Sequence, residues 1–162
     1  MATTRRRCQL VGAGSCLAVA CEAHRPGGHG GGGAEHRKGG VAIQLVGQIA
    51  VGVVAALHGY ILVLEMFLWR TPRGRKVFGT TAEFAEASAP LAANQGLYNG
   101  FLAAGLAWGL IAADPTGFRV KVFFLACVIV AGLYGAATVN RRILLVQALP
   151  AAVALILVAL SR

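Results

Sequence analysis

The chain has 162 residues, room for one domain, with 57% hydrophobic and only 13% charged side chains. A soluble domain this small has too much surface for its volume to hide so much apolar area, so the composition points to a bilayer as solvent. The net charge of +9 divides into +4 over residues 1–40 and +5 over residues 41–162, and the latter's basic residues fall in short gaps between apolar runs, which orients a membrane protein and sets nucleic acid aside as a partner.

Residues 1–40 differ in kind from the rest. They hold ten of the 22 glycines, most of them in the run RPGGHGGGGAEHRKGG, which cannot bury enough apolar surface to offset its ordering entropy. A disordered Gly/Arg-rich extension is expected. Three readings stand for it. Arg5, Arg6 and Arg7 before Cys8–Ala20 have the outline of a signal peptide with Ala18-Val19-Ala20 before Cys21, though the apolar stretch is short and broken. His24, His29 and His36 offer a loose metal site, or are solvated histidines. The third reading is an over-long translation start, with the protein proper beginning near Val41. The cysteines at 8, 16, 21 and 127 fit no metal-site spacing.

Four apolar segments follow, at about 41–69, 91–113, 120–139 and 143–160. Each is long enough to cross a bilayer, and the short connections imply antiparallel neighbours. The expected fold is an all-α membrane protein, a bundle of four antiparallel transmembrane helices. Between the first two segments lies a loop at 70–79 with four cationic residues in Arg70–Lys76. Thr80 with Glu83 reads as a capping box, and Pro90 as a kink or break before the second crossing. Asp114–Gly117 and Asn140–Arg142 read as turns. Basic residues in loops 70–79 and 140–142 place both loops in the cytoplasm and both termini outside.

Ionisable groups at bilayer depth cost at least ~2.5 kcal/mol each, so they face the interior and usually have a task. The first segment holds His58 and Glu65, seven residues apart and on one face. With Gln44, Gln48, Gly52, Ala55, Leu62 and Trp69 they form a stripe expected to point into the bundle. The second segment answers with Asn94, Gln95, Tyr98 and Asn99, read as one wet face near the basic-loop end. Gln147, Pro150 and Tyr134 are candidates to complete the lining. The bland alternative treats Asn94 and Gln95 as helix–helix glue, Trp69 as an interface-belt residue, and His58 and Glu65 as satisfied structural groups. Ala131/Gly135, Gly132/Ala136 and the row Gly96, Gly100, Ala104 are small-residue packing signals.

The stretches LHGYILVLEMFLWRTPRGRKVFG (Leu57–Gly79), EFAEASAPLAANQGLYNGFLAAGLAWG (Glu83–Gly109) and GLYGAATVNRRILLVQALPA (Gly132–Ala151) resemble the bacterial family catalogued as domain of unknown function 1304. The resemblance covers essentially Val41–Leu160 and leaves residues 1–40 outside the pattern. It implies an integral protein of the bacterial inner membrane without an assigned activity. His58, Glu65, Trp69, Asn94, Gln95, Tyr98, Asn99 and Gln147 carry it.

No P-loop, GxSxG, HExxH or dinucleotide fingerprint is present, and no cofactor is called for. Three functions remain open. One is a transporter- or channel-like bundle, a homo-oligomer, handling a proton, cation or small solute through His58 and Glu65. The second is a membrane-embedded enzyme or lipid-binding protein using the Glu/His pair on a hydrophobic, lipid-like substrate. The third is an accessory subunit whose polar face only glues helices together.

Overall fold

The computed structural model of the protein describes residues 32–162, with side chains from residue 39 onward. The readings of residues 5–21, of His24 and His29, of the His36 side chain and of the starting point lie outside the described residues. Residues 37–162 pack as one compact unit, and the regular structure of the described residues is helical.

Helix α1 runs Gly32–Met66, so it begins before the expected boundary at Val41. Ala34 to Lys38 are mostly good helix formers, and each residue added to an existing helix gains a bond at little cost. It ends three residues short of Trp69, where the chain turns and the Thr71 hydroxyl donates to Leu68 O at 2.7 Å.

The basic loop contains a helix of its own, α2, Pro72–Phe78. Its ends explain it. Thr71 Oγ1 accepts from Gly74 N at 3.2 Å, Pro72 occupies the first turn, where a missing N–H costs nothing, and Gly79 closes it at φ 67°. Gly74 is buried because α2 folds back onto α1, and a Cβ there would strike the Leu68 carbonyl oxygen.

Helix α3, Ala82–Ile111, corrects two expectations. Its cap is Thr81, not Thr80: Thr81 Oγ1 accepts from Phe84 N at 3.2 Å, while Thr80 Oγ1 is buried without a partner among the described residues. Hydrogen bonds from its own backbone N–H and from Thr81 hold the exposed Glu83 carboxyl below the usual carboxylate range. The second correction concerns Pro90: of the two readings, kink or break, the break is excluded, because Pro90 lies inside a continuous helix. Proline is tolerated where neighbouring groups take up the freed carbonyl.

Helix α4, Thr116–Thr138, starts where Asp114 Oδ1 accepts from Phe118 N at 3.0 Å. In the following turn Asn140 Oδ1 accepts from Arg142 N at 2.9 Å. The last segment opens with a π-helical turn, Leu144–Ala148, before α5, Leu149–Leu160. The wider turn lets Pro150 enter the first turn of α5 without meeting the carbonyl four residues back.

Glycines set the packing order. A Cβ on Gly96 or Gly100 would touch Leu62, Glu65 or Met66 of α1, one on Gly105 would meet Phe124 of α4, one on Gly132 would meet Ala148, and one on Gly47 would meet Leu157 of α5. The long helices therefore form an antiparallel ring, α1–α3–α4–α5. One core, with Val51, Val54, Leu106, Leu125, Val128, Ala151, Ala154 and Val158, draws on all four. Of the small-residue signals, Gly96 and Gly100 pack against a neighbouring helix, which is α1. Gly132 works with Gly135, which faces Ile143, while Ala104 and Ala131 are exposed.

Every long helix exposes large apolar side chains, with Val53, Phe101, Phe123, Val130 and Ile156 among them. Two helices are long and apolar enough to cross a membrane, Gly39–Met66 and Thr116–Thr138. The apolar stretch Leu144–Leu160 is shorter, and α3 is diluted by Asn94, Gln95 and Asn99. Inside, by contrast, lie His58, Asn99 and Lys121. Lys121, 6% exposed, threads past Gly109 and donates from Nζ to Gln48 Oε1 of α1 at 3.3 Å.

Two predictions follow from this packing, both read by thermal unfolding of detergent-purified protein. Gly132→Ala forces α4 off Ala148, whose N and Cβ would lie 2.9 and 3.0 Å from the new methyl. It should cost about 1–3 kcal/mol. Gly59→Ala meets nothing within 4 Å and should be neutral or gain up to about 1 kcal/mol; equal effects would refute the ring. Gln48→Leu strips the buried Lys121 ammonium of its acceptor and should destabilise by about 1–3 kcal/mol. Adding Lys121→Met to that variant should restore stability, because a removed charge needs no partner.

Candidate functional site

The site lies where α1 ends against the middle of α3. Gly96 has no side chain, so the α3 backbone comes within contact of Glu65 Cβ and Met66 Cγ. That closeness lets a short side chain reach across. Asn99 Nδ2 donates to Glu65 Oε2 at 2.8 Å and to Gln95 O, one turn back, at 3.2 Å. Asn99 is buried and Glu65 half-buried. A carboxylate out of water needs such a donor, and charge-assisted bonds are the strong ones.

Trp69, in the turn after α1, is fixed at both its polar and apolar parts. Its Nε1–H donates to Ser88 Oγ at 3.1 Å, the Ser88 hydroxyl donates to Phe84 O at 2.6 Å, and the indole lies 4.8 Å from the Phe78 ring. Beside it Arg70 Nη1 pairs with Glu86 Oε1 at 2.9 Å. Both partners are exposed, and such surface pairs contribute ~0–1 kcal/mol. These residues enclose a cavity of about 350 Å³ lined by Glu65, Met66, Phe67, Trp69, Arg70, Glu86, Ala89, Pro90 and Ala93.

His58 is in the core and not in that cavity. Its Nδ1 lies 2.8 Å from Val54 O; a carbonyl only accepts, so Nδ1 carries a proton. Nε2 is buried without a hydrogen-bond partner among the described residues.

The expected wet face of α3 is not one face. Asn99 points inward, whereas Asn94, Gln95 and Tyr98 are exposed, Tyr98 lying edge-on to Phe101 at 6.2 Å. The reason is the glycines: α3 packs against both α1 and α4, so Gly96, Gly100, Gly105 and Gly109 define the inner arc and leave residues 94, 95 and 98 outside it. On α1 the buried residues are Gly47, Val51, Val54, His58 and Leu64, which share only His58 with the expected stripe. Gln48, Gly52, Ala55, Leu62, Glu65 and Trp69 are partly buried beside them, and Gln44 is exposed. Gln147 is partly buried in the π-helical turn, and Tyr134 is exposed.

Sequence reasoning missed the Arg70–Glu86 pair, Ser88 as the acceptor for Trp69, and Lys121. Lys121 lies inside the third apolar segment and not in a gap between segments. Its signal was present, since it stands between Val120 and Val122, past the turn at Pro115. Among the described residues, no three His, Cys, Asp or Glu side chains gather as metal ligands.

Residues 52–159 match the family described as Protein of unknown function (DUF1304). The chain is also 34% identical over 106 residues to "Uncharacterized protein YpaA" of Lactococcus lactis subsp. lactis (strain IL1403), covering 64% of this chain and 88% of that relative. No solved structure matches. The matched span takes in α3, α4, α5 and the second half of α1, with Glu65, Trp69, Asn99 and the cavity they border; the chain belongs to the DUF1304 family.

Proposed function

We propose that the protein is a multi-pass protein of the bacterial inner membrane, with α1, α3, α4 and the α5 segment all crossing. Its task is transporter- or channel-like, with Glu65 exchanging a proton or cation. The inverted polarity supports the crossings: exposed apolar side chains occur on all four helices, and His58 and Lys121 lie within. The α5 segment, 17 residues from Leu144 to Leu160, spans about 25 Å at 1.5 Å per residue, close to a hydrocarbon core of about 30 Å. Arg70, Arg73, Arg75 and Lys76 at one pair of helix ends, with Arg141 and Arg142 in the other turn at that side, favour a cytoplasmic placement of that side and termini outside.

The observation that carries the proposal is the setting of Glu65. One oxygen is held by Asn99, the residue borders a cavity, and the neighbouring cation, Arg70, is engaged with Glu86. A carboxylate so placed can gain or lose a charge without unmaking the fold. The enzymatic alternative fares less well, because Glu65 and His58 do not share the cavity and so do not form an acid/base pair.

A second copy covers the outer face of α3 in this proposal. Asn94, Gln95 and Tyr98 are polar, exposed and at the depth of a crossing, and lipid offers them no partners. Four helices around a filled core also leave no path of their own.

In proteoliposomes carrying a pH-sensitive dye, the parent should pass protons and Glu65→Gln should not, while unfolding at a temperature within a few degrees of the parent. Flux that survives Glu65→Gln, or a parent that conducts nothing, returns the polar face to a purely structural role. Native mass spectrometry should find the parent as a discrete oligomer and Asn94→Leu/Gln95→Leu as monomer; unchanged assembly would remove α3 as the contact.

A further inference from the structure

The cavity's chemistry names a ligand class. Two carboxylates, Glu65 and Glu86, stand there against one guanidinium, Arg70. Since Arg70 and Glu86 satisfy each other at 2.9 Å, the charge left over is that of Glu65. Glu65 Oε2 is taken by Asn99, which leaves Oε1 without a hydrogen bond among the described residues. Trp69 has spent its N–H on Ser88, so its contribution to the cavity is carbon and π surface. Met66, Phe67 and Pro90 add further carbon.

An anion is disfavoured by charge: Arg70 keeps N–H donors beyond the one on Glu86, yet two carboxylates stand beside it and leave the lining net negative. A bare metal ion fares no better: calcium wants six to eight oxygens and magnesium a near-ideal octahedron, whereas this lining is largely carbon away from Glu65 and the rim pair. A positive charge with apolar substituents suits both the net charge of the lining and its carbon surface. It can pair with the Glu65 carboxylate and lie against the Trp69 indole, where a cation over the ring face is held by the ring's quadrupole. At about 350 Å³ the space falls within the range of small-molecule sites.

We propose that this cavity binds a small organic monocation, an amine or quaternary ammonium bearing an apolar group, with Glu65 as counter-ion and Trp69 as aromatic wall. The inference rests on the reading of Glu65 as the functional carboxylate and supplies that reading with a substrate class. Trp69 thereby has a binding role in place of the interface-belt role expected of a tryptophan at a helix end.

The test is calorimetric titration of the full chain in detergent with benzyltrimethylammonium, beside benzyl alcohol as its neutral analogue and benzoate as its anionic one. The parent should bind the cation at least tenfold more tightly than either analogue. Glu65→Gln should abolish that preference. Trp69→Leu should weaken cation binding severalfold, Trp69→Phe should restore most of it, and Trp108→Leu, at a residue outside the cavity lining, should change nothing. Melting curves check that each variant is folded, and Trp69→Phe keeps the wall testable if Trp69→Leu is not. Equal affinity for the cation and benzyl alcohol would overturn the proposal, as would cation binding that survives Glu65→Gln. The two readings separate cleanly. Cation binding without proton flux removes transport and keeps the site, whereas Glu65-dependent flux with no cation binding removes this proposal and keeps the other.

Discussion

An asparagine side chain reaches only a short way, so the bond from Asn99 to Glu65 requires two helix backbones to lie unusually close. Gly96 and Gly100 make that possible. Any Cβ at Gly96 would stand 2.7 Å from Met66 Cγ and 3.1 Å from Glu65 Cβ, so the space a side chain would fill is already occupied by α1. Most of what distinguishes the site depends on this contact. With α1 and α3 held together there, the chain leaving Met66 must turn back sharply, and α2 packs its Gly74 on the Leu68 and Trp69 carbonyls. That return fixes Trp69 against Phe78 and Ser88 and gives the cavity its wall. The site is thus a consequence of glycine spacing before it is a consequence of the polar residues themselves.

The distribution of polarity makes sense only with apolar surroundings as the solvent. In water, folding hides apolar surface and leaves charge outside. Here Phe123, Val130 and Ile156 face out while Lys121 and His58 are hidden. Where lipid replaces water, apolar packing gives helices little reason to associate, and small residues with interhelical hydrogen bonds take over that role. The inner faces conform: glycines at 96, 100, 105, 109 and 132 line the contacts, and Lys121–Gln48 and Asn99–Glu65 tie α1 to α4 and to α3.

The sequence made the helices legible, because apolar runs longer than about 18 residues leave few alternatives. Their ends and faces were harder. Proline is a strong breaker in isolation, yet Pro90 sits within α3 because bundle context overrides local preference. Loop 70–79 read as cationic coil, since charge density masked the Thr71 cap, Pro72 and Gly79 that make a helix there. The α3 face failed for a different reason. Periodicity points the polar arc inward, but α3 touches two neighbours through glycines, and glycine carries almost no weight in a periodicity argument. Asn99 fell on the right side of that line; Asn94, Gln95 and Tyr98 did not. Glu65 and Trp69 were found because charge and indole stand out in an apolar segment. Ser88 was missed because a serine near a helix start is ordinary.

The two polar ties lie toward opposite ends of the bundle, with His58 between them on α1. Each joins a side chain of α1 to a different partner helix, and each has a length that tolerates little sliding. Shifting α1 by one turn, about 5.4 Å along its axis, would break both at once and leave a lysine and a carboxylate unpaired away from water. Apolar contacts within the shared core would be replaced in such a slip by others of similar worth, so they do not choose between registers. The polar ties do. His58 adds nothing to this discrimination: its Nδ1–H is satisfied within α1 by Val54 O, so that bond persists in any register, and its buried Nε2 takes part in neither tie. Register in this bundle is therefore held from its two ends, and the middle of α1 is left free to carry an uncommitted nitrogen.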